Sequence, residues 1–197
     1  MERKILWAPW RIGYIQGLSE GHHLEGPANA GQDVSGSPAK AQEGQTQEGA
    51  DCFICHNRAN PQDDEKNLVL WRSNCCIVML NRFPYNNGHL LIAPFRHIAD
   101  LDQATDEEML EVTELIRESQ KALSLVIKPH GFNVGMNFGR CAGAGLPEHL
   151  HVHLVPRWDG DTNFMSVCSD VKIVSQSLTD LFGQLKQISA DHNLPNL

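Results

Sequence analysis

The residues best equipped for chemistry stand in one short run, His149-Leu150-His151-Val152-His153-Leu154-Val155. Side chains of an extended chain alternate between faces, so this spacing predicts a strand with three imidazoles in a row on one side and Leu150, Val152 and Leu154 turned into a core. With 10 histidines in 197 residues, template counting gives the triplet a chance occurrence of about one in forty. Imidazole is the side chain that titrates near neutrality. One member of such a row can act as a neutral nucleophile while a neighbour handles the proton a leaving group needs. That division of labour suits phosphoryl or nucleotidyl transfer through a covalent nucleotidyl-imidazole. Ligation of a catalytic metal by two or three of the rings is the alternative use, and spacing alone does not choose between them.

Two further groups lie near this run or could be brought to it. Asn137-Phe138-Gly139-Arg140-Cys141-Ala142-Gly143-Ala144-Gly145 is a glycine-rich loop able to bring backbone N–H groups close to an anion, or simply a flexible connection between strands. It is neither a Walker loop nor a dinucleotide fingerprint, since no Gly-Lys-Ser/Thr follows and no helix opens from it. Cys52-Phe53-Ile54-Cys55 has the spacing of a metal half-site and needs two more ligands; His56 is a rival ligand but sits too close to the cysteines.

The elements that must position these groups are written in local patterns. Leu68-Val69-Leu70-Trp71, Cys76-Ile77-Val78-Met79-Leu80, His89-Leu90-Leu91-Ile92-Ala93 and the alternating Phe132 to Phe138 read as strands, with a turn at Pro84-Tyr85-Asn86-Asn87-Gly88. Thr105 and Glu108 form a capping-box signal, followed at helical spacing by Met109, Val112, Ile116, Leu123 and Val126 up to about Lys128, before Pro129 and Gly131. A second amphipathic helix is predicted from Ser177, with Leu178, Leu181, Leu185 and Ile188 on one side. The fold class is therefore α+β, a mainly antiparallel sheet with one long and one C-terminal helix.

Residues 18–50 contrast with this body: six glycines, five alanines and four glutamines, with five acids against one base for a charge of -4. That composition predicts a flexible low-complexity linker between an aromatic arm, residues 1–17, and the domain of residues 51–197. The arm carries Trp7-Ala8-Pro9-Trp10-Arg11-Ile12-Gly13-Tyr14-Ile15, apolar enough to require docking on the domain or on a partner subunit. Sixteen Lys and Arg against 24 Asp and Glu give a net charge of -8, a field that repels polyanions and speaks against bulk nucleic-acid binding. No run reaches the roughly 18–20 apolar residues a membrane span needs, and no signal peptide opens the chain, so a cytoplasmic location is expected. Six cysteines are too few for a disulfide scaffold here, and reduced thiols are the default.

The triplet resembles the histidine triad superfamily, whose signature His-φ-His-φ-His-φ-φ, with φ apolar, is matched at every position of 149–155. Asn81-Arg82-Phe83-Pro84-Tyr85-Asn86-Asn87-Gly88-His89-Leu90-Leu91-Ile92-Ala93-Pro94 and Arg96-His97 resemble the family's first half, and Trp7-Ala8-Pro9-Trp10-Arg11 and Pro156 to Met165 are similar to its bacterial diadenosine tetraphosphate phosphorylase (ATP adenylyltransferase) members. The resemblance implies a triad-type fold and phosphorolysis of a dinucleoside polyphosphate, with inorganic phosphate as acceptor. His151 would be the nucleophile and His153 would sit near the leaving oxygen. Asn81, His89, Asn137, Gly143 and Gly145 would contact substrate. It also implies a structural zinc held by Cys52, Cys55, His97 and His149, which would make His149 an anchor rather than a proton carrier, and a homodimer or higher homo-oligomer sharing a sheet. Met79, Phe53 and Trp158 are the expected apolar walls of the nucleotide pocket. Hydrolysis of the same or related nucleotides and a hexose-1-phosphate uridylyltransferase-like activity are the enzymatic alternatives, the latter disfavoured by a single triad that lacks His-Pro-His. A metallohydrolase, with the ladder on a catalytic metal, and a nucleotide-sensing module without turnover are the readings from other classes.

Overall fold

Short aliphatic runs bounded by turn formers become five strands in the computed structural model, which describes residues 52–161 and 174–196. The expected arm and linker, Cys168 and the end of the Pro156–Met165 motif lie outside the described residues. The strands are β1 (Val69–Arg72), β2 (Cys76–Leu80), β3 (Leu90–Pro94), β4 (Gly131–Met136) and β5 (Val152–Arg157), paired antiparallel in the order β1-β2-β3-β5-β4. The helices are α1 (Phe53–Ala59), α2 (Asp106–Val126) and α3 (Leu178–His192). No described helix is long and apolar enough to cross a membrane.

Every residue of β2 and β3 is buried, because the sheet centre is covered on both sides. On one face Leu70, Val78, Leu90, Ile92 and Leu154 pack with Val112, Leu115 and Leu123 of α2 and Leu181 and Leu185 of α3. Each such fully buried aliphatic side chain contributes about 1.5–3 kcal/mol. On the other face α1 covers the sheet only in part, through Cys52 and Ile54 over Val69, Ile77, Met79, Leu91 and Ala93. Paired residues share a face, so the register Val69–Met79–Leu91–His153–Gly135 runs as one row across this second face.

The helix starts follow their local signals. Thr105 accepts from the Glu108 N–H while the Glu108 carboxylate accepts from the Thr105 N–H, and Ser177 caps α3. Glu108 also takes a bidentate pair from Arg96 at 2.8 and 2.6 Å, tying the segment that carries His97 to the first turn of α2. Gly88 holds φ +74°, and a Cβ there would meet Ile127 Cδ1 at 2.7 Å. Only glycine fits this turn into His89.

Three expectations change. The strand expected to start at His149 starts at Val152: its pairing with β3 ends at Ile92–Val152, two residues short of Pro94, which has no N–H to give a ladder. His149, Leu150 and His151 form an extended lead-in held by the Leu150 N–H on the Ile98 carbonyl. The long helix stops at Val126, short of Lys128, which has φ 46°. Cys52–Cys55, expected only as a spacing, opens a helix of its own.

Candidate active site

Cys52 is the N-cap of α1 and its thiol accepts from the Cys55 N–H at 3.5 Å, which sets both thiols on one side of the first turn. They face His97, from the segment after β3, and His149, from the lead-in to β5. Cys52 Sγ lies 3.2 Å and Cys55 Sγ 3.5 Å from His149 Nδ1; His97 Nδ1 lies 3.3 Å from Cys55 Sγ and 3.2 Å from His149 Nδ1. All four ligand atoms are within 4.8 Å of one another. A tetrahedral zinc with Zn–S about 2.3 Å and Zn–N about 2.0–2.1 Å has ligand-to-ligand edges of about 3.3–3.8 Å, so this donor set fits a four-coordinate divalent ion. His149 Nε2–H donates to the Pro94 carbonyl at 2.9 Å, which leaves the Nδ1 lone pair aimed into the cluster, the outer partner a metal-binding imidazole needs. Burial holds His149 down at about 4, and pushes the Cys55 thiol up to about 11 with Cys52 adding to the rise. His56 is exposed and stands outside the cluster, against its candidacy.

Two residues on, the same segment is arranged differently. His151 Nδ1 lies 2.7 Å from the His149 carbonyl; the nitrogen must donate there, so the lone pair is on Nε2. His153, from β5, sits beside it with ring centroids 4.9 Å apart and the planes at 70°. The Tyr85 N–H (3.1 Å) and the Asn81 amide (3.3 Å) both donate to His89 Nδ1. The Asn81 orientation is set by its own oxygen, which accepts the Phe83 N–H at 2.9 Å. His89 therefore carries its proton on Nε2 and donates to His153 Nδ1 at 2.9 Å. That places the His153 proton on Nε2, a buried atom with no partner among the described residues. Burial, reinforced by neighbouring imidazoles, lowers His89 to about 3 and His153 to about 4, so both are neutral at pH 7.

A cavity of about 390 Å³ opens on the same face, lined by Phe53, Met79, Asn81, Phe83 and Leu91 among others, a size that accepts a small ligand. Asn81 and Leu91 join it to the histidines, Leu91 being the register partner of His153. Phe53 and Met79 are among its walls. Trp158 is not: it lies on the turn after β5, donates its indole N–H to the Lys128 carbonyl at 3.2 Å and lines a separate cleft with Asn86, Asn87 and Ile127. Asn137 shares a smaller cleft with His153 and donates to the Gly143 carbonyl at 3.5 Å, with Gly143 in the left-handed region at φ 88°. Gly143 and Gly145 are in the exposed rim of that loop, where the Gly143 N–H donates to the Arg140 carbonyl at 3.0 Å.

The HIT domain model matches residues 62–160, and over 175 residues the chain is 36% identical to a Mycobacterium tuberculosis protein named AP-4-A phosphorylase, covering 89% of this chain and 78% of that one. The chain belongs to the HIT family. HIT-family membership at this coverage makes it a nucleotide-processing enzyme, and the α+β sheet is the family's fold. Solved structures agree in fold: a hypothetical histidine triad nucleotide-binding protein of Sulfolobus tokodaii (TM-score 0.57, 22% identity, 73% of this chain and 93% of that one) and a Zn-bound histidine triad family protein of Mycobacterium smegmatis (TM-score 0.57, 20% identity, 72% and 95%). Among the groups that the HIT motif did not single out are the Pro94 carbonyl, which orients His149, and Tyr85. The Tyr85 ring lies 4.6 Å from His89 and 5.5 Å from His153, centroid to centroid. Its position in the loop between Asn81 and His89 was the available signal.

Proposed function

We propose that this HIT-family enzyme cleaves a dinucleoside polyphosphate of the diadenosine tetraphosphate kind by nucleotidyl transfer through His151, with inorganic phosphate as acceptor. The observation that carries this is the bond from His151 Nδ1 to the His149 carbonyl, which commits that nitrogen as a donor and leaves Nε2 as the one to attack. Nε2 attacks the α-phosphorus of one nucleotide; the P–N bond forms, the bond to the bridging oxygen breaks, and its electrons leave on the nucleoside triphosphate. His153 Nε2–H faces that oxygen and stabilises the charge developing on it. Phosphate then attacks the nucleotidyl-imidazole, so diadenosine tetraphosphate yields ADP and ATP; water in its place yields AMP and ATP. The relationship to the AP-4-A phosphorylase favours phosphate.

Cys52, Cys55, His97 and His149 would hold zinc. Four protein donors leave no position for water, so the metal would supply a cross-link between α1, β3 and the lead-in to β5 and take no part in the chemistry. Asn81 contacts the nucleotide, whereas His89, expected as a substrate contact, is fully buried with both ring nitrogens engaged and acts through His153; Asn137, Gly143 and Gly145 meet phosphate oxygens. β4 is an edge strand with Val134 49% exposed, which supports pairing of two copies through that edge. Thiols that bind metal need a reducing compartment, consistent with the cytoplasm.

The test is intact mass spectrometry after brief exposure to diadenosine tetraphosphate. An added nucleotidyl mass is expected in the parent chain and none in His151→Ala, with kcat down at least about 10³-fold. ADP should appear only when phosphate is present. Full activity in His151→Ala with no adduct in the parent would overturn the reading.

A further inference from the structure

We infer that the departing half of the substrate, the nucleoside polyphosphate released when His151 is loaded, rests on an open shelf made by Tyr85 and the face of β4 that carries Asn133 and Gly135. This rests on the nucleotidyl-transfer reading above. Displacement at phosphorus is roughly in line, so a substrate with a nucleoside at each end extends in two directions from the reacting phosphorus. The 390 Å³ cavity lies over β2 and β3 and has room for one nucleoside. The other must leave past His153, and beyond β5 the strand order leads only to β4.

There the surface is shaped to receive it. Two clefts, of about 180 and 300 Å³, share Tyr85, Asn133 and Val155; the smaller reaches His153 and Asn137, the larger Asn86 and Arg157. Register pairs Gly135 with His153 and Asn133 with Val155, so Gly131, Asn133 and Gly135 face the same side as the catalytic imidazoles. At both glycines an added Cβ would meet nothing within 4 Å. Glycine inside a strand forgoes packing and is costly, and such positions mark close approach by another molecule. Tyr85 forms the wall: its ring lies at 28° to that of His153, and the residue as a whole is 54% exposed. An aromatic residue held against the reaction centre yet exposed is suited to stacking a nucleobase, a contact that accepts any base. Asn133, held by Arg157 through its Oδ1 at 2.7 Å, lines both clefts.

The shelf therefore selects substrates with a second nucleoside over mononucleotide conjugates. It is tested without turnover, by calorimetric binding of a non-cleavable methylene-bridged diadenosine tetraphosphate and of adenosine 5′-monophosphate, which fills only the first cavity. Tyr85→Ala and Gly135→Val, on different elements, should each weaken the dinucleotide analogue by about tenfold, within the range for one stacked base. The mononucleotide Kd should stay within about twofold, and Tyr85→Phe should bind both like the parent. Equal weakening of both ligands would mean that Tyr85 merely props His89 and His153, and no weakening of either would mean that nothing rests there; each overturns the shelf. A selective loss with no adduct on His151 would instead keep a second-nucleoside site and sink the transfer step, so the two failures are distinguishable.

Discussion

The two ends of the triad use the same residue type for opposite ends. At His149, Nε2–H is held by the Pro94 carbonyl and Nδ1 faces two thiols and a second imidazole. At His153, Nδ1 accepts from His89 and the buried Nε2 has no partner among the described residues. One ring has both nitrogens committed to structure; the other has its acceptor nitrogen committed and its proton on Nε2. Imidazole does not decide its own role. The partner of its first nitrogen fixes the tautomer, and the tautomer decides what the second can do. His151, between them, borrows the His149 carbonyl, so the anchoring end aligns the reacting ring.

The comparison is most severely tested at the anchor. Elemental analysis should find about one zinc per chain, and chelation or Cys52→Ser should cost about 3–5 kcal/mol of stability, roughly 10–15 °C in the unfolding midpoint. Chain that is still folded after chelation should keep forming the His151 adduct; immediate loss of turnover with the fold intact would move the metal into the chemistry. At the other end, His89→Leu should slow adduct formation by about 10²-fold while metal content stays unchanged, because it removes the donor that sets the His153 tautomer. Unchanged rate, or lost metal, would erase the division between the two ends.

The smallest effect is on pH dependence. His89, lowered to about 3 by burial and then by His153 and His151, stays neutral in the folded chain, whereas the unfolded chain takes up that proton below about pH 6.5. The unfolded state then binds more protons, so the stabilisation present above about 6.5 is lost as pH falls, and His89 accounts for about 1–2 kcal/mol between pH 7 and 5. Denaturant titrations at the two pH values should show this slope in the parent chain and a shallower one in His89→Leu.

Much of the frame is legible in the chain itself. Thr105 with Glu108 and Ser177 announce their helices because capping is decided within four residues, and the alternation of Leu150, Val152 and Leu154 with the histidines marks which side is core because strand period is local. The same locality explains the failures. Trp158 looked like a pocket wall by being large and near the triad, yet the turn after Arg157 sends it to the C-terminal end of α2. The strand expected at His149 depended on a partner on β3, and Pro94 supplies none.

By itself the sequence determined the number and spacing of the imidazoles, the capped helices and the four ligand-type residues, since all are matters of composition or of neighbours along the chain. Only the tertiary structure decided that Cys52 and His149, 97 positions apart, point at one centre, that Tyr85 lies against His153, and which nitrogen of each ring bears the proton. Those facts depend on hydrogen-bond partners from distant segments, and no local pattern encodes who will be standing opposite a ring once the sheet has closed.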